Sequence, residues 1–96
     1  MIILIGLLDD KNFLEISKII ASTADAIFVV TPNSERALDS QILCDEFLKH
    51  SVQAVNCLTT ERGFQKAVSH AGTTDLICVL GSHYVVGELL YFYKKP

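Results

Sequence analysis

Short apolar runs rich in β-branched residues recur along the chain at Ile2–Gly6, Ala26–Val30, 53–56 and 76–80, and each is bounded by turn-forming or charged residues. Runs of this length and composition predict β-strands. The segments between them carry apolar residues at helical spacing. Residues 12–22 place Phe13, Ile16, Ile19 and Ile20 on one face. Asp39 is positioned to cap a second helix bearing Leu43, Phe47 and Leu48, and Thr59 or Thr60 a third bearing Phe64, Ala67, Val68 and Ala71. Ser82 can open a fourth, with Val85, Val86, Leu89 and Leu90 as its apolar side.

The predicted order is therefore βαβαβαβα. Strands that are continuously apolar, without in/out alternation, are covered on both faces, as parallel strands joined by right-handed helical crossovers require. The expected fold is α/β, a three-layer, Rossmann-like and mainly parallel sheet of about four strands. In such sheets ligands gather where strands end at their carboxyl edge. That directs attention to residues 7–11, 31–36, 56–60 and 81–84.

The chain has 96 residues, half of them apolar and a fifth charged. That is enough for one core, and the expectation is a single domain over residues 1–96. A formal charge of −3, with no basic run beyond Lys94 and Lys95, argues against nucleic acid as a partner. Cys44, Cys57 and Cys78 show no C-x-x-C spacing and lie in apolar segments, so they read as reduced, buried thiols. The apolar stretch after Met1 stops at Asp9 and Asp10, too soon for a signal sequence or a membrane span. A cytoplasmic location without membrane attachment is expected.

Chemistry-bearing candidates are few. Arg36 lies in a turn-forming segment, Thr31-Pro32-Asn33-Ser34-Glu35-Arg36, where an arginine is ordinarily a solvated charge; its planar fork is equally suited to a carboxylate or phosphate. Both readings stand on spacing alone. Ser82 reads as a helix cap at a positive dipole end. Asp9 and Asp10 could attract Mg²⁺, but carboxylates before a helix read first as caps. His50, His70 and His83 have no metal-ligand spacing, and Glu88 falls inside the last helix. No P-loop, nucleophile elbow or H-E-x-x-H motif occurs, so no catalytic residue and no metal site is expected within the chain.

Three of the strand-end segments resemble those of one family. Gly6-Leu7-Leu8-Asp9-Asp10-Lys11-Asn12-Phe13 resembles a G-x-L-x-D-K-D-aromatic stretch, Thr31 to Leu38 a T-P-N-x-x-R-A-L segment, and Gly81 to Glu88 a G-S-L-Y-L-V-G-E segment. All three occur in the C-terminal domain of folylpolyglutamate synthases and dihydrofolate synthases, members of the Mur ligase superfamily. Asn12 and His83 depart from the pattern.

The resemblance implies an ATP-dependent ligase that adds L-glutamate to folate through an acyl phosphate. It implies that this domain closes over an ATP and Mg²⁺ site held elsewhere and helps bind the glutamate. Arg36 would pair with a glutamate carboxylate, Asn33 would shape the turn and Ser82 would donate a hydrogen bond, while Asp10 and Lys11 would lie near the nucleotide. The family's D-G-A-H-N turn and its P-loop have no counterpart here. That implies a partial domain, inactive alone, whose partner is an N-terminal ATPase domain, and whose bared sheet edge favours self-association. The alternative is a standalone regulatory or interaction domain of the same fold. A receiver-like module is excluded, because Asn56-Cys57 and Gly81-Ser82 stand where its phosphoacceptor aspartate and its lysine would be.

Overall fold

A computed structural model describes residues 1–9, 12–72 and 76–81. In chain order the elements are β1 (Ile2–Gly6), α1 (Phe13–Ala21), β2 (Ala26–Val30), α2 (Ser40–Leu48), β3 (Gln53–Leu58), α3 (Thr60–His70) and β4 (Ile77–Gly81). The four strands form one sheet in the order β3-β2-β1-β4, and every pairing is parallel. The expected fourth helix, with Ser82, His83 and Glu88, lies outside the described residues.

β1 and β2 are buried along their whole length, because helices cover both faces. One face packs Ile3, Ile5, Ile27 and Val29 against Leu43, Cys44 and Phe47 of α2, with Phe13, Ile16 and Ile20 of α1 alongside. The opposite face packs Ile2, Leu4, Phe28 and Val30 against Phe64 and Ala67 of α3. Alternate side chains of a strand point to opposite faces, so each central strand feeds both cores. This is the expected three-layer α/β arrangement.

Caps fix where the helices begin. Asn12 Oδ1 accepts from the Glu15 amide at 3.3 Å, Asp39 Oδ1 from Gln41 at 2.8 Å and Thr59 Oγ1 from Arg62 at 3.2 Å. Each pairs one of the amides that a helix start leaves without a partner.

The structure corrects several details. β3 runs to Leu58, beyond Asn56, because a register shift opposite Val29 and Val30 inserts an extra residue and Leu58 takes φ 70°. A bulge of this kind bends the strand and re-aims its side chains. β4 begins at Ile77, leaving Leu76 exposed. β3 shows mixed burial and β4 is half-buried, so continuous coverage holds only for the two central strands. Ile19, Leu48 and Val68 are exposed, each lying about 100° of helical rotation away from its stripe's centre. The buried stripes instead contain Ser17, Ser40, Thr60 and Gly63.

Candidate functional site

Strand order locates a crevice. From β1 the chain crosses through α1 to β2, and from β3 it returns through α3 to β4 on β1's other side. Connections therefore diverge between the carboxyl ends of β1 and β4, the usual binding edge of an open parallel sheet. Gly6 and Gly81 pair across that point. Gly81 has φ 125°, and a Cβ there would run into the Gly6 carbonyl oxygen; only glycine lets the backbones approach this closely.

The segment after β2 reaches back to the same edge. The Leu38 amide donates to Leu7 O at 2.9 Å, the Asp9 amide donates to Arg36 O at 2.7 Å, and Leu8 forms an antiparallel bridge with Ala37. Arg36 is thereby held beside the end of β1. Its Nε lies 3.9 Å from Asp9 Oδ1, with both side chains more than half exposed at 61% and 58%. Within the turn, Ser34 Oγ accepts from the Arg36 amide at 3.2 Å, and Ser34 O accepts from Ala37 at 3.1 Å.

The base of this loop is polar and tightly bonded. Ser40 is fully buried. Its amide donates to Thr31 Oγ1 at 3.0 Å, and that hydroxyl donates to Ser40 Oγ at 2.9 Å. Ser40 Oγ donates in turn to Asn56 Oδ1 at 2.6 Å, which also accepts from the Leu58 amide at 3.1 Å. Asn56 Nδ2 donates to Gln41 Oε1 at 3.0 Å, and Gln41 Nε2 donates to Asp45 Oδ1 at 2.8 Å.

Of the residues singled out from sequence, Arg36 and Asn33 share one exposed loop at the carboxyl edge. Asp10, Lys11 and Ser82 lie outside the described residues. The expectation that Asp9 caps a helix is corrected: Asn12 caps α1, and Asp9 faces Arg36. Sequence reasoning left out Ser40 and Asn56. Asn56 sat within a flagged strand end, whereas Ser40 had no signal beyond following a cap residue.

Between α1 and the ends of β1 and β4 lies an apolar cleft of about 310 Å³, lined by Ile5, Leu7, Leu8, Ile16 and Leu80 among others. A charged ligand would lose its hydration there without compensation, so the polar rim at Arg36 is the place for an anion. Among the described residues no three His, Cys, Asp or Glu side chains gather to hold a metal ion. The Thr31, Ser40 and Asn56 side chains are engaged with one another and form no phosphate cradle. These residues do not fit a nucleotide–metal site. Burial raises the thiol pKa of Cys44 and of Cys57, which keeps both protonated and unreactive. Cys78 is half-buried, and all three cysteines are free. Among the described residues, no helix is long and apolar enough to cross a membrane.

No protein-family model matches the sequence, and no curated protein matches it. Solved structures do. The chain is similar to E. coli FolC in complex with DHPP and ADP, with a TM-score of 0.85 and 17% identity over 96% of this chain and 22% of that one. It is similar to a bifunctional folylpolyglutamate synthase/dihydrofolate synthase from Yersinia pestis, complexed with AMPPNP and Mn ion, with a TM-score of 0.79 and 19% identity over the same shares. The fold is thus one found in these enzymes, and the chain spans about a fifth of their length.

Proposed function

We propose that this chain acts as the C-terminal-domain portion of a folylpolyglutamate synthase or dihydrofolate synthase, where it helps hold the incoming L-glutamate and closes the ATP site. The observation that carries this reading is the match of 96% of the chain to 22% of each of two such ligases. The described parts of the strand-end segments agree with it: Gly6 and Gly81 end paired strands at the binding edge of the sheet, and the loop bearing Arg36 is tied to the same edge.

On this reading folate and L-glutamate are the substrates, and an N-terminal ATPase domain is the partner. ATP and Mg²⁺ would be held by that domain and would supply the phosphoryl group that turns the folate carboxylate into an acyl phosphate, from which the glutamate amine would displace phosphate. The present chain positions. Arg36 offers its guanidinium to a glutamate carboxylate, Asn33 shapes the turn that presents it, and Ser82 serves on this reading as a further hydrogen-bond donor. The resemblance assigns Asp10 and Lys11 to the neighbourhood of the nucleotide, and the setting is the cytoplasm.

Asp9 makes the exchange inexpensive. An exposed ion pair contributes only about 0–1 kcal/mol, so an incoming carboxylate can take Asp9's place on Arg36. A charge-assisted hydrogen bond in the closed site contributes about 1.5–3 kcal/mol, which is roughly tenfold to a hundredfold in affinity. In the ligase polypeptide that carries this segment, Arg36→Ala should therefore raise the glutamate KM by about that factor and leave the ATP KM unchanged. Steady-state kinetics with each substrate varied separately provide the check. The 96-residue chain by itself should catalyse no glutamate transfer. Glutamate and ATP parameters both within about twofold of wild type would refute the assignment of Arg36, and absence of an ATPase domain from the encoding gene would favour a non-catalytic module.

A further inference from the structure

We infer that Thr31, Ser40 and Asn56 form a positioning lock for Arg36, which sets the affinity for the incoming amino acid without touching it. The inference rests on the reading that Arg36 holds a carboxylate of that amino acid. Thr31 is the first residue after β2 and Ser40 the first of α2, so their reciprocal bonds, at 3.0 and 2.9 Å, close the base of loop 32–39. Compact loops with joined ends behave as packed units, not free tethers.

The closure is braced from a third element. Ser40 Oγ spends its proton on Asn56 Oδ1 at 2.6 Å, and that oxygen is fixed by the Leu58 amide at 3.1 Å. The β3 bulge brings the Leu58 amide round to Asn56: the register jumps from Asn56 to Leu58 between Val29 and Val30, and Leu58 adopts φ 70°. Gln41 Oε1 accepts from Asn56 Nδ2 at 3.0 Å, and Gln41 Nε2 donates to Asp45 Oδ1 at 2.8 Å. The donors and acceptors thus run in one direction, from Thr31 to a carboxylate, and each hydroxyl in the chain has a fixed role. A polar network whose two hydroxyls both donate and accept within it favours one arrangement.

The far side of the loop is tied to the segment that follows β1 by the Leu38–Leu7 and Asp9–Arg36 backbone bonds. Arg36 therefore sits between two fixed points. Loosening the base lets the guanidinium wander, and misplacement of a binding group by about 1 Å can cost up to a hundredfold.

Amide hydrogen exchange on the chain and kinetics on the ligase that carries it test the lock together. With Ser40→Ala, the amides of Asp9, Ala37 and Leu38 should exchange about tenfold faster or more, while Leu4 and Val29 in the central strands keep their protection. Asn56→Ala, on the outer strand, should do the same and guards against a Ser40 variant that fails to fold. In the ligase, Ser40→Ala should raise the glutamate KM about tenfold with the ATP KM unchanged. Combined with Arg36→Ala it should add nothing, since the lock acts only through that side chain. Unchanged exchange at Asp9, Ala37 and Leu38 in both variants overturns the lock. So does an unaltered glutamate KM in Ser40→Ala when Arg36→Ala alone has raised it. If Arg36→Ala itself leaves the glutamate KM unchanged, the binding reading fails, and the exchange data still decide whether the lock exists.

Discussion

The β2–α2 connection crosses residues 31–39 and is closed at its base by side-chain hydrogen bonds, whereas the β3–α3 connection turns at Leu58 and Thr59 through backbone hydrogen bonds and capping and sets its helix on the sheet by packing. Both leave neighbouring strands at the same edge of one sheet. In the first, the Thr31 and Ser40 hydroxyls and the Ser40 amide at the base find partners, and the loop so closed carries exposed polar side chains out to the rim. In the second, the Thr60 side chain is buried with its hydroxyl unpartnered, and α3 comes down hard on the sheet at Gly63. A connection that presents side chains to a ligand needs directional bonds, which specify orientation. A connection that only returns the chain to the sheet can rely on shape.

The packed connection should fail most severely when its shape is altered. A Cβ at Gly63 would collide with Val30 Cγ1 and lie 2.7 Å from Leu4 Cδ1; Val30 and Leu4 are wholly buried. Gly63→Val should therefore destabilise the fold by about 3 kcal/mol, the upper end of the usual overpacking cost. The gain in helix propensity from replacing glycine recovers only a few tenths of a kcal/mol. Urea denaturation measures the loss, and a variant within about 0.5 kcal/mol of wild type would show that α3 can lift off without penalty.

The hydrogen-bonded connection should respond to lost partners instead. Thr31→Val keeps the side chain's shape but removes the acceptor of the Ser40 amide and the donor to Ser40 Oγ. Leaving such groups unpaired at a buried serine costs about 2 kcal/mol. Thr31→Ser should recover most of it, because the hydroxyl alone carries both bonds. Equal stability of the valine and serine variants would mean that the network is incidental to the fold.

Periodicity in the sequence located the strands and the helix caps because those depend on local patterns: Asp39 and Thr59 cap where turn chemistry puts them, and Ile2–Gly6 is buried as its composition demands. The same logic could not find the middle of each helix stripe. Ser17, Ser40 and Thr60 count as polar in any apolar template, yet all three are fully buried, and Ser17 is tolerated because its hydroxyl donates to Phe13 O at 2.6 Å. Exposure of Ile19, Leu48 and Val68 is the same effect seen from outside, since an apolar residue at a stripe's flank costs little. The Arg36 loop was legible as a binding candidate, but not its attachment to β1. Leu8 and Ala37 meet across a gap in sequence that no local pattern encodes, and Asp9 consequently changes from helix cap to ion-pair partner. Asn56 was readable only as a strand end, because its role depends on the bulge that follows it.

The smallest effect, and the sharpest contrast, comes from making the threonine-to-valine change in the packed connection. Thr60 opens α3 with no surface exposed, while Thr59 does the capping, so its hydroxyl contributes nothing to the helix start. A buried hydroxyl without a partner forfeits its hydration, and replacing it by a methyl group of nearly the same shape removes that cost. Valine and threonine have similar helix propensities, so the substitution is neutral in that respect. Thr60→Val should accordingly be as stable as wild type or up to about 1 kcal/mol more stable, opposite in sign to Thr31→Val. Paired denaturation curves under one set of conditions test this. A loss of 1 kcal/mol or more in Thr60→Val would mean that the hydroxyl has a partner in solution, a bound water being the simplest, and that the two connections are built more alike than their contacts indicate.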